Sequence, residues 1–340
     1  MTQSACADKP TATHITHATH APGQVTATQT HDSGARAVWH STGATLAEWM
    51  LADSTPMVVP NSAANTFARE SRDWSYRGQL IGPVANRTAN ARYSVDGKTV
   101  QLEPNDGGPD NSRHRLHGGP VPWGTLPGFA FESDDGALVM AAQDGPHPQL
   151  GVSFDITARA ELDADSLTIT HVVTADAPTP VATTQHTYFN PSGRFDRPVD
   201  TLTLQILGDG YTEVDDTLIP TGRTLPVAGT PLDYREPRPI GATEIDHNFP
   251  IPGDGMRPMV RLSDGTRTLT VWSDFPGVQI YSGEVLGGEG FAARGGLAIE
   301  PQYPPDAVNQ PVDGEDTILR PGETYRHTIR YTVADEALRP

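Results

Sequence analysis

The sequence predicts an all-β protein built as a large antiparallel β-sandwich. Short runs with apolar residues at alternate positions recur along the chain, as in Leu167-Thr168-Ile169, and this period-two pattern is typical of strands with one buried face. Turn dipeptides such as Asp96-Gly97 and Asp264-Gly265 separate the runs. No strand–helix–strand rhythm is visible, which argues against a doubly wound parallel sheet.

The elements are expected in the following order. Residues 1–32 lack periodicity and are interpreted as a flexible tail with at most one edge strand, at 24–30, whereas 33–340 contain no linker and are expected to form one domain. Strands begin near Ala37, and residues 61–69 are the candidate for one short helix. Later strands are expected around Val100, Leu138, Ile156, Ile169, Leu204, Leu269, Val278 and Ile329.

Charge and composition limit the possible partners. A formal net charge of −18 and a pI of about 4.9 argue against nucleic acid and against anionic membrane surfaces, because both repel a negative protein. The single cysteine, Cys6, permits no intrachain disulfide. Neither a secretory signal nor an apolar run of about 18 residues is present. We therefore expect a cytoplasmic protein whose partner is a neutral small molecule.

One carboxylate stands at a marked position. The apolar run Leu297-Ala298-Ile299 ends in Glu300, and Pro301 follows directly. Because proline has no amide hydrogen, the strand is expected to stop there. A carboxylate held at a strand end suits a general base, although solvation or a salt bridge explains an isolated glutamate equally well.

Two polar clusters precede it in the first half of the chain. Asn86-Arg87 follows a glycine turn and offers an amide beside a fork of guanidinium donors, which suits sugar hydroxyls. An arginine that only satisfies backbone carbonyls is the alternative. His117 stands before two glycines that allow a sharp backbone turn, and Trp123 offers an apolar face on which a sugar ring stacks.

Two more clusters lie in the second half. His186 sits in a strand-like run, and because imidazole gains and loses a proton near neutrality it is a natural general acid; a buried core histidine is the alternative. Asp246, beside His247, either accepts hydrogen bonds from hydroxyls or caps a turn. Three histidines recur in the tail, but no convincing metal-ligand spacing occurs elsewhere, so no metal site is expected.

Together these stretches resemble the aldose 1-epimerase (galactose mutarotase) family, from about Gly43 to Tyr331. The resemblance implies a galactose mutarotase-like β-sandwich, or supersandwich. It also implies interconversion of the α and β anomers of free hexoses such as galactose or glucose, without a metal or organic cofactor. The segments that carry the resemblance are Ala85-Asn86-Arg87, Leu116-His117-Gly118-Gly119, His186-Thr187-Tyr188-Phe189-Asn190, Val278-Gln279-Ile280-Tyr281-Ser282-Gly283, Glu300-Pro301-Gln302 and Pro305-Asp306-Ala307-Val308-Asn309.

The resemblance further implies a role for each matching residue. Glu300 matches the general base that takes the proton from the anomeric hydroxyl, and His186 matches the general acid that protonates the ring oxygen. His117 matches a second histidine on the ring-oxygen side. The positions that match sugar-hydroxyl ligands are Asn86, Arg87, Asp246 and Gln279. One base and one acid suffice chemically, because ring opening removes a proton at one oxygen and delivers one to an oxygen two bonds away.

Three alternatives stay open on the sequence. A hexose-phosphate mutarotase would need arginines at the pocket, for which Arg69, Arg72, Arg77 and Arg113 are the candidates. A sugar-binding module without catalysis would need neither an acid nor a base, so the presence of both argues against it. A structural sandwich explains the fold but not the polar clusters. The expected partner is a monosaccharide, and the protein is expected to be a monomer or a homodimer.

Overall fold

The described part of the chain, residues 12–67, 75–107, 113–312 and 317–338 of the computed structural model, is built mainly from strands. Its one α-helix, α1 (Ala63–Phe67), lies within the predicted segment 61–69, and short 3-10 helices occupy Ala89–Ala91, Trp123–Thr125 and Val199–Thr201. Cys6, Arg69 and Arg72 lie outside the described residues. The strands are β1 (Thr13–Ala21), β2 (Gln24–His31), β3 (Arg36–His40), β4 (Thr45–Met50), β5 (Leu80–Ile81), β6 (Arg87–Thr88), β7 (Arg92–Val95), β8 (Lys98–Gln101), β9 (Arg115–Leu116), β10 (Ala130–Asp134), β11 (Ala137–Asp144), β12 (Phe154–Leu162), β13 (Ser166–Ala175), β14 (Thr179–Pro180), β15 (Thr184–Gln185), β16 (Tyr188–Phe189), β17 (Thr203–Ile206), β18 (Gly210–Val214), β19 (Pro220–Pro226), β20 (Arg238–Pro239), β21 (Asp246–Pro250), β22 (Arg257–Ser263), β23 (Thr268–Ser273), β24 (Gly277–Tyr281), β25 (Leu297–Gln302), β26 (Ile318–Leu319) and β27 (Tyr325–Ala334).

Three sheets dominate the architecture. The largest has nine strands in the order β10-β11-β12-β13-β27-β23-β22-β17-β20. One four-stranded sheet has the order β1-β2-β3-β4 and the other the order β16-β25-β24-β21, and two-stranded ribbons complete the fold. Every pair of these named strands runs antiparallel. The predicted antiparallel all-β class is confirmed.

The period-two pattern marks the face of the large sheet that meets the core. On β13, Leu167 and Ile169 are fully buried, and on the neighbouring strand β27 so is Tyr331. These side chains belong to one hydrophobic cluster that extends from β2 to β27. Removing this apolar surface from water is the main favourable term in folding. Among the described residues, no helix is long and apolar enough to cross a membrane.

The start of the described chain is more ordered than the sequence suggested. Where a tail with one edge strand was expected, β1 and β2 form a hairpin that continues into β3. The inner strand is polar yet buried: Gln29 accepts a hydrogen bond from the indole of Trp39 and donates one to the carbonyl of Ala160. A polar side chain that is buried through hydrogen bonds does not contribute to the alternation of apolar residues, so the sequence pattern does not reveal this strand.

Strand β25 does not stop where the sequence predicted. It continues through Pro301 to Gln302, with Pro301 opposite Val278 of β24. On its other edge, β16 pairs only with Leu297 and Ala298. Proline has no N–H to donate to a neighbouring strand, and it is tolerated here because, among the described residues, no strand pairs with this edge of β25 beyond Ala298. Glu300 therefore lies within a strand, paired on one side with Gln279 of β24.

Candidate active site

Three neighbouring strands place the acidic half of the site. Glu300 of β25 lies directly opposite Gln279 of β24, and β24 also pairs with β21, whose first residue is Asp246. The side-chain amide of Gln279 donates a hydrogen bond of 2.7 Å to Oδ1 of Asp246. Residues opposite each other on paired strands share a face of the sheet. The sheet thus presents two carboxylates and an amide on one surface.

His186 joins this sheet from the break between β15 and β16. Its Nε2 lies 3.5 Å from Oε1 of Glu300, and both side chains are buried, at 5% and 2% exposure. The main chain around it is fixed, since its N–H donates to the carbonyl of Gln79 and its own carbonyl accepts from the N–H of Gly78. The acid and base candidates, 114 positions apart in the sequence, meet on a rigid frame.

His117 forms a reciprocal pair with Asn86. The N–H of His117 donates to the carbonyl of Asn86, and the N–H of Asn86 donates to Nδ1 of His117. Because Nδ1 accepts, the neutral ring carries its proton on Nε2. Burial, followed by the nearby imidazole of His186, lowers the pKa of His117 well below its usual value. His117 is therefore neutral near pH 7 and presents a donor rather than a positive charge.

The turn that carries His117 requires glycine. Gly118 has φ of +81°, and a Cβ there would lie 2.1 Å from the carbonyl oxygen of Gly82. A non-glycine residue would meet both backbone strain and a backbone collision. The histidine ring meets that of His186 edge-on, with 5.3 Å between the ring centroids.

Arg87 is held by two contacts that the sequence did not indicate. Its Nε donates to Oδ2 of Asp106 at 2.7 Å, and its carbonyl accepts from the N–H of Asp306. The carboxylate of Asp306 in turn accepts from the N–H of Ala89 and from the side chain of Asn309. The Pro305–Asn309 motif therefore supports the segment that carries Asn86 and Arg87.

Two buried oxygens of the site have no hydrogen-bond partner within the described ranges: Oε2 of Glu300 and Oε1 of Gln279. Such groups are costly and rare in native proteins, and each of these two oxygens can accept a hydrogen bond from a bound molecule. Burial, and then the carboxylate of Asp246, raises the pKa of Glu300 well above its ordinary value of 4.5. A carboxylate in this state is a stronger base than glutamate in water and accepts a proton from a hydroxyl group more readily.

Comparisons with known proteins identify the family of this chain. The family model described as aldose 1-epimerase matches residues 26–332. The chain belongs to the aldose 1-epimerase family. It is 34% identical over 288 residues to galactose mutarotase of Rattus norvegicus, covering 76% of this chain and 80% of that protein. It is also 34% identical over 282 residues to aldose 1-epimerase of Escherichia coli K12, with the same coverage of 76% and 80%.

Solved structures support the fold of this aldose 1-epimerase family member. An aldose epimerase homologue from C. elegans superposes with a TM-score of 0.78 at 26% identity, covering 90% of this chain and 97% of that one. A galactose 1-epimerase from Lactobacillus acidophilus gives a TM-score of 0.80 at 24% identity, covering 95% and 99%. The predicted galactose mutarotase-like architecture is confirmed.

Trp123 does not serve as a sugar platform in this family member. Its side chain is fully buried, its indole N–H donates to Oδ2 of Asp144, and its ring makes a T-shaped contact with that of Phe154. Its six-membered ring lies so close to Gly82 that a Cβ there would be 2.0 Å from it. Because its side chain is fully buried and its indole N–H is already paired, Trp123 is a core residue, and its prediction as a binding residue is corrected.

We expect Trp123→Phe to weaken folding but not sugar binding. The substitution leaves the carboxylate of Asp144, only 8% exposed, without its donor, which costs about 1–3 kcal/mol of unfolding free energy. Urea denaturation measures this loss, and the KM for a hexose substrate should stay unchanged. A raised KM in a variant of unaltered stability would return Trp123 to the binding site.

Sequence reasoning missed two residues that the structure brings to the site, Asp106 and Tyr76. The ring of Tyr76 meets His117 edge-on at a centroid distance of 4.6 Å and lies 5.6 Å from His186. Neither residue belongs to a periodic strand or to a segment of the resemblance, so no pattern could have found them. Asp106 and Tyr76 are visible only through their contacts in the folded protein.

Proposed function

We propose that this aldose 1-epimerase family member interconverts the α and β anomers of a free hexose by opening and closing the sugar ring. The observation that carries the proposal is the buried pair of Glu300 and His186, with Nε2 of the histidine 3.5 Å from Oε1 of the carboxylate. Oε2 of Glu300 has no partner among the described residues. A base with an open oxygen beside an acid matches what ring opening requires.

The chemical steps follow from this pair. Glu300 takes the proton of the anomeric hydroxyl, the electron pair of that O–H bond forms the C1=O1 double bond, and the C1–O5 bond breaks. The electrons of the broken bond stay on O5, which receives a proton from the imidazolium of His186. The product is the open-chain aldehyde. After rotation about C1–C2, O5 attacks the other face of C1 and both protons return.

The remaining site residues hold the sugar in this scheme. His117 donates from Nε2 on the side of the ring oxygen. Asn86, Arg87, Asp246 and Gln279 bind hydroxyl groups, and the last two already share a hydrogen bond of 2.7 Å. Holding the reacting groups in one geometry supplies much of the rate acceleration in such sites.

Polarimetry tests the proposal directly. Freshly dissolved α-D-glucose and α-D-galactose are followed with and without the protein, and the decay of optical rotation should be accelerated. The relative rates for the two sugars then give the preferred substrate. Rotation that decays at the spontaneous rate with both sugars, in the presence of folded protein, would contradict the proposal.

The pH dependence provides an independent check. Glu300 must be ionised to act as a base, so kcat/KM is expected to rise with pH through its raised pKa, at a pH well above 4.5. The carboxylate of Asp246 contributes to that elevation, so Asp246→Asn should move the acidic limb to lower pH. The quantity to compare is the pH at the midpoint of the acidic limb and not the size of kcat/KM, because the loss of a hydroxyl-binding residue should also raise KM.

Asp254→Asn is the matched control for this shift. It removes a carboxylate from the same region of the chain, but at an exposed turn. Its acidic limb should coincide with that of the wild type. An acidic limb that stays in place in Asp246→Asn would show that Asp246 does not act on the titration of Glu300.

Within the part of the chain that the structure describes, which excludes Arg69 and Arg72, no specific contact favours the phosphorylated substrate. The guanidinium of Arg77 pairs with Glu289 at 3.2 Å, with only 7% of the arginine side chain exposed, and lies over the ring of Phe291. Arg113 extends toward the side-chain oxygen of Asn90. The free hexose is therefore the proposed substrate. The cytoplasmic location, the monomeric or homodimeric state and the independence of metal and cofactor stay predictions.

A further inference from the structure

The aromatic residue beside the reacting groups is Tyr76. Its ring contacts both histidines of the site, at centroid distances of 4.6 Å to His117 and 5.6 Å to His186. Only part of the side chain is buried. No hydrogen bond joins its hydroxyl to another group within the described ranges. A partly buried phenol against two buried imidazoles offers an apolar ring and a polar hydroxyl to a bound molecule.

The backbone of Tyr76 is held in a conformation that side chains rarely adopt. Its φ is +53°, which is uncommon for a bulky residue and is typically retained where the surroundings impose it. The next residue supplies that constraint: the carbonyl of Arg77 accepts from the side chain of Asn61, and its guanidinium pairs with Glu289. Strain of this kind concentrates at functional sites.

The main chain couples Tyr76 to the segment that carries His186. The carbonyl of Tyr76 accepts from the N–H of Gln79, whose own carbonyl accepts from the N–H of His186. The N–H of Gly78 donates back to the carbonyl of His186. The main chains of Tyr76 and His186 are therefore positioned by the same short hydrogen-bonded unit.

Tyr76 lies against His117, with a centroid distance of 4.6 Å between the rings. Burial, the largest influence, raises the pKa of its phenol to about 12, and the carboxylate of Asp106 raises it further while the guanidinium of Arg87 lowers it. The phenol is neutral at pH 7 and lies on the side of His117 and Arg87, where it both donates and accepts hydrogen bonds.

We propose that Tyr76 contacts the substrate directly, with its ring against the sugar and its hydroxyl bonded to one non-anomeric hydroxyl group of the hexose. Tyr76 thereby takes the aromatic role that the sequence assigned to Trp123. It contributes to selection among hexoses that differ at that one hydroxyl. The inference rests on the proposed function, since it names a residue that recognises the same substrate.

The test compares Tyr76→Phe with the wild type on the preferred hexose and on its 2-, 3-, 4- and 6-deoxy derivatives. All of these sugars keep the anomeric hydroxyl and ring oxygen and so still mutarotate. On the parent hexose, loss of one neutral hydrogen bond should lower kcat/KM by about 3- to 10-fold, mainly through KM. On one deoxy sugar, the one that lacks the contacted hydroxyl, Tyr76→Phe and the wild type should be equal.

The control variant is Tyr234→Phe. It removes a phenolic hydroxyl that donates to the carbonyl of Ile240 in the buried core, so it costs stability while leaving the kinetics on every sugar unchanged. Wild-type kinetics of Tyr76→Phe on the parent hexose would overturn the proposal. An equal loss on all the deoxy sugars would overturn it as well, because the effect would then not pass through any single hydroxyl.

Binding separates this inference from the proposed function. Calorimetric titration with the same sugars is run alongside polarimetry. If the wild type binds a hexose without accelerating mutarotation, the proposed function fails, and the Tyr76 contact is still decided by comparing the affinities of the wild type and Tyr76→Phe. If the wild type neither binds nor turns over any hexose, both proposals fail.

Discussion

Replacing Glu300 with glutamine is expected to lower kcat by about 10²- to 10⁴-fold, the range that a positioned general base contributes. Glutamine keeps the shape of the side chain and its place opposite Gln279 but accepts no proton from the anomeric hydroxyl. Polarimetry with saturating hexose measures the loss. Glu48→Gln, at a surface site paired with Arg36, should retain full activity. Turnover near the wild-type level in Glu300→Gln would remove Glu300 from the mechanism.

The same variant should be at least as stable as the wild type at neutral pH. The folded-state pKa of Glu300 is raised above 4.5, so between that value and the raised pKa the folded protein binds one more proton than the unfolded chain. Stability therefore falls as pH rises through this window. Glutamine does not titrate, so its melting temperature should exceed that of the wild type at pH 7 and the advantage should disappear below pH 4.5. A large loss of stability at pH 7 would contradict this.

Replacing His186 with asparagine is expected to lower kcat by about 10²- to 10⁴-fold as well. Asparagine fits the space and donates a hydrogen bond, but it carries no proton to deliver to the ring oxygen. KM should change much less than kcat, because the lost interaction belongs to the transition state. Single-sugar polarimetry over a range of concentrations separates the two constants.

His247→Asn is the matched control for this substitution. His247 follows Asp246 on β21, and its ring meets Tyr211 at a centroid distance of 5.5 Å rather than the reacting pair. Neighbouring residues of a strand point to opposite faces, so the loss of this imidazole should leave kcat unchanged. Equal losses in the two variants would show that general destabilisation, not the absent acid, accounts for the effect.

The fold could be predicted because burial imposes a period on the strands. Leu167 and Ile169 are fully buried, and their alternation with polar residues is visible in the sequence. The N-terminal hairpin had no such signal, because Gln29 is buried through hydrogen bonds instead of apolar contact. Pattern reasoning detects hydrophobic burial and cannot detect polar burial.

The candidate site could be predicted only in part. Glu300 and His186 have residue types suited to their chemistry, but their approach across 114 positions depends on sheet pairing that no local pattern contains. Trp123 was mistaken for a binding residue because an aromatic beside a glycine turn does not reveal which way it points. The direction of Tyr76 depends on its φ of +53°, which is set by contacts of Arg77 and Gly78 with distant residues.

The order of strands in the large sheet has a consequence for protein synthesis. β27 lies between β13 and β23 in the sheet, yet about 150 residues of the chain separate the end of β13 from the start of β27. At about 5–20 residues per second, a ribosome needs about 8–30 s to make that interval. Throughout it the outer edge of β13 has no strand to pair with, and an unpaired apolar edge is a template for association between nascent chains. The centre of the sheet can form only after β27 has left the ribosome. A chaperone that covers β13 should therefore reduce association between nascent chains most before that point.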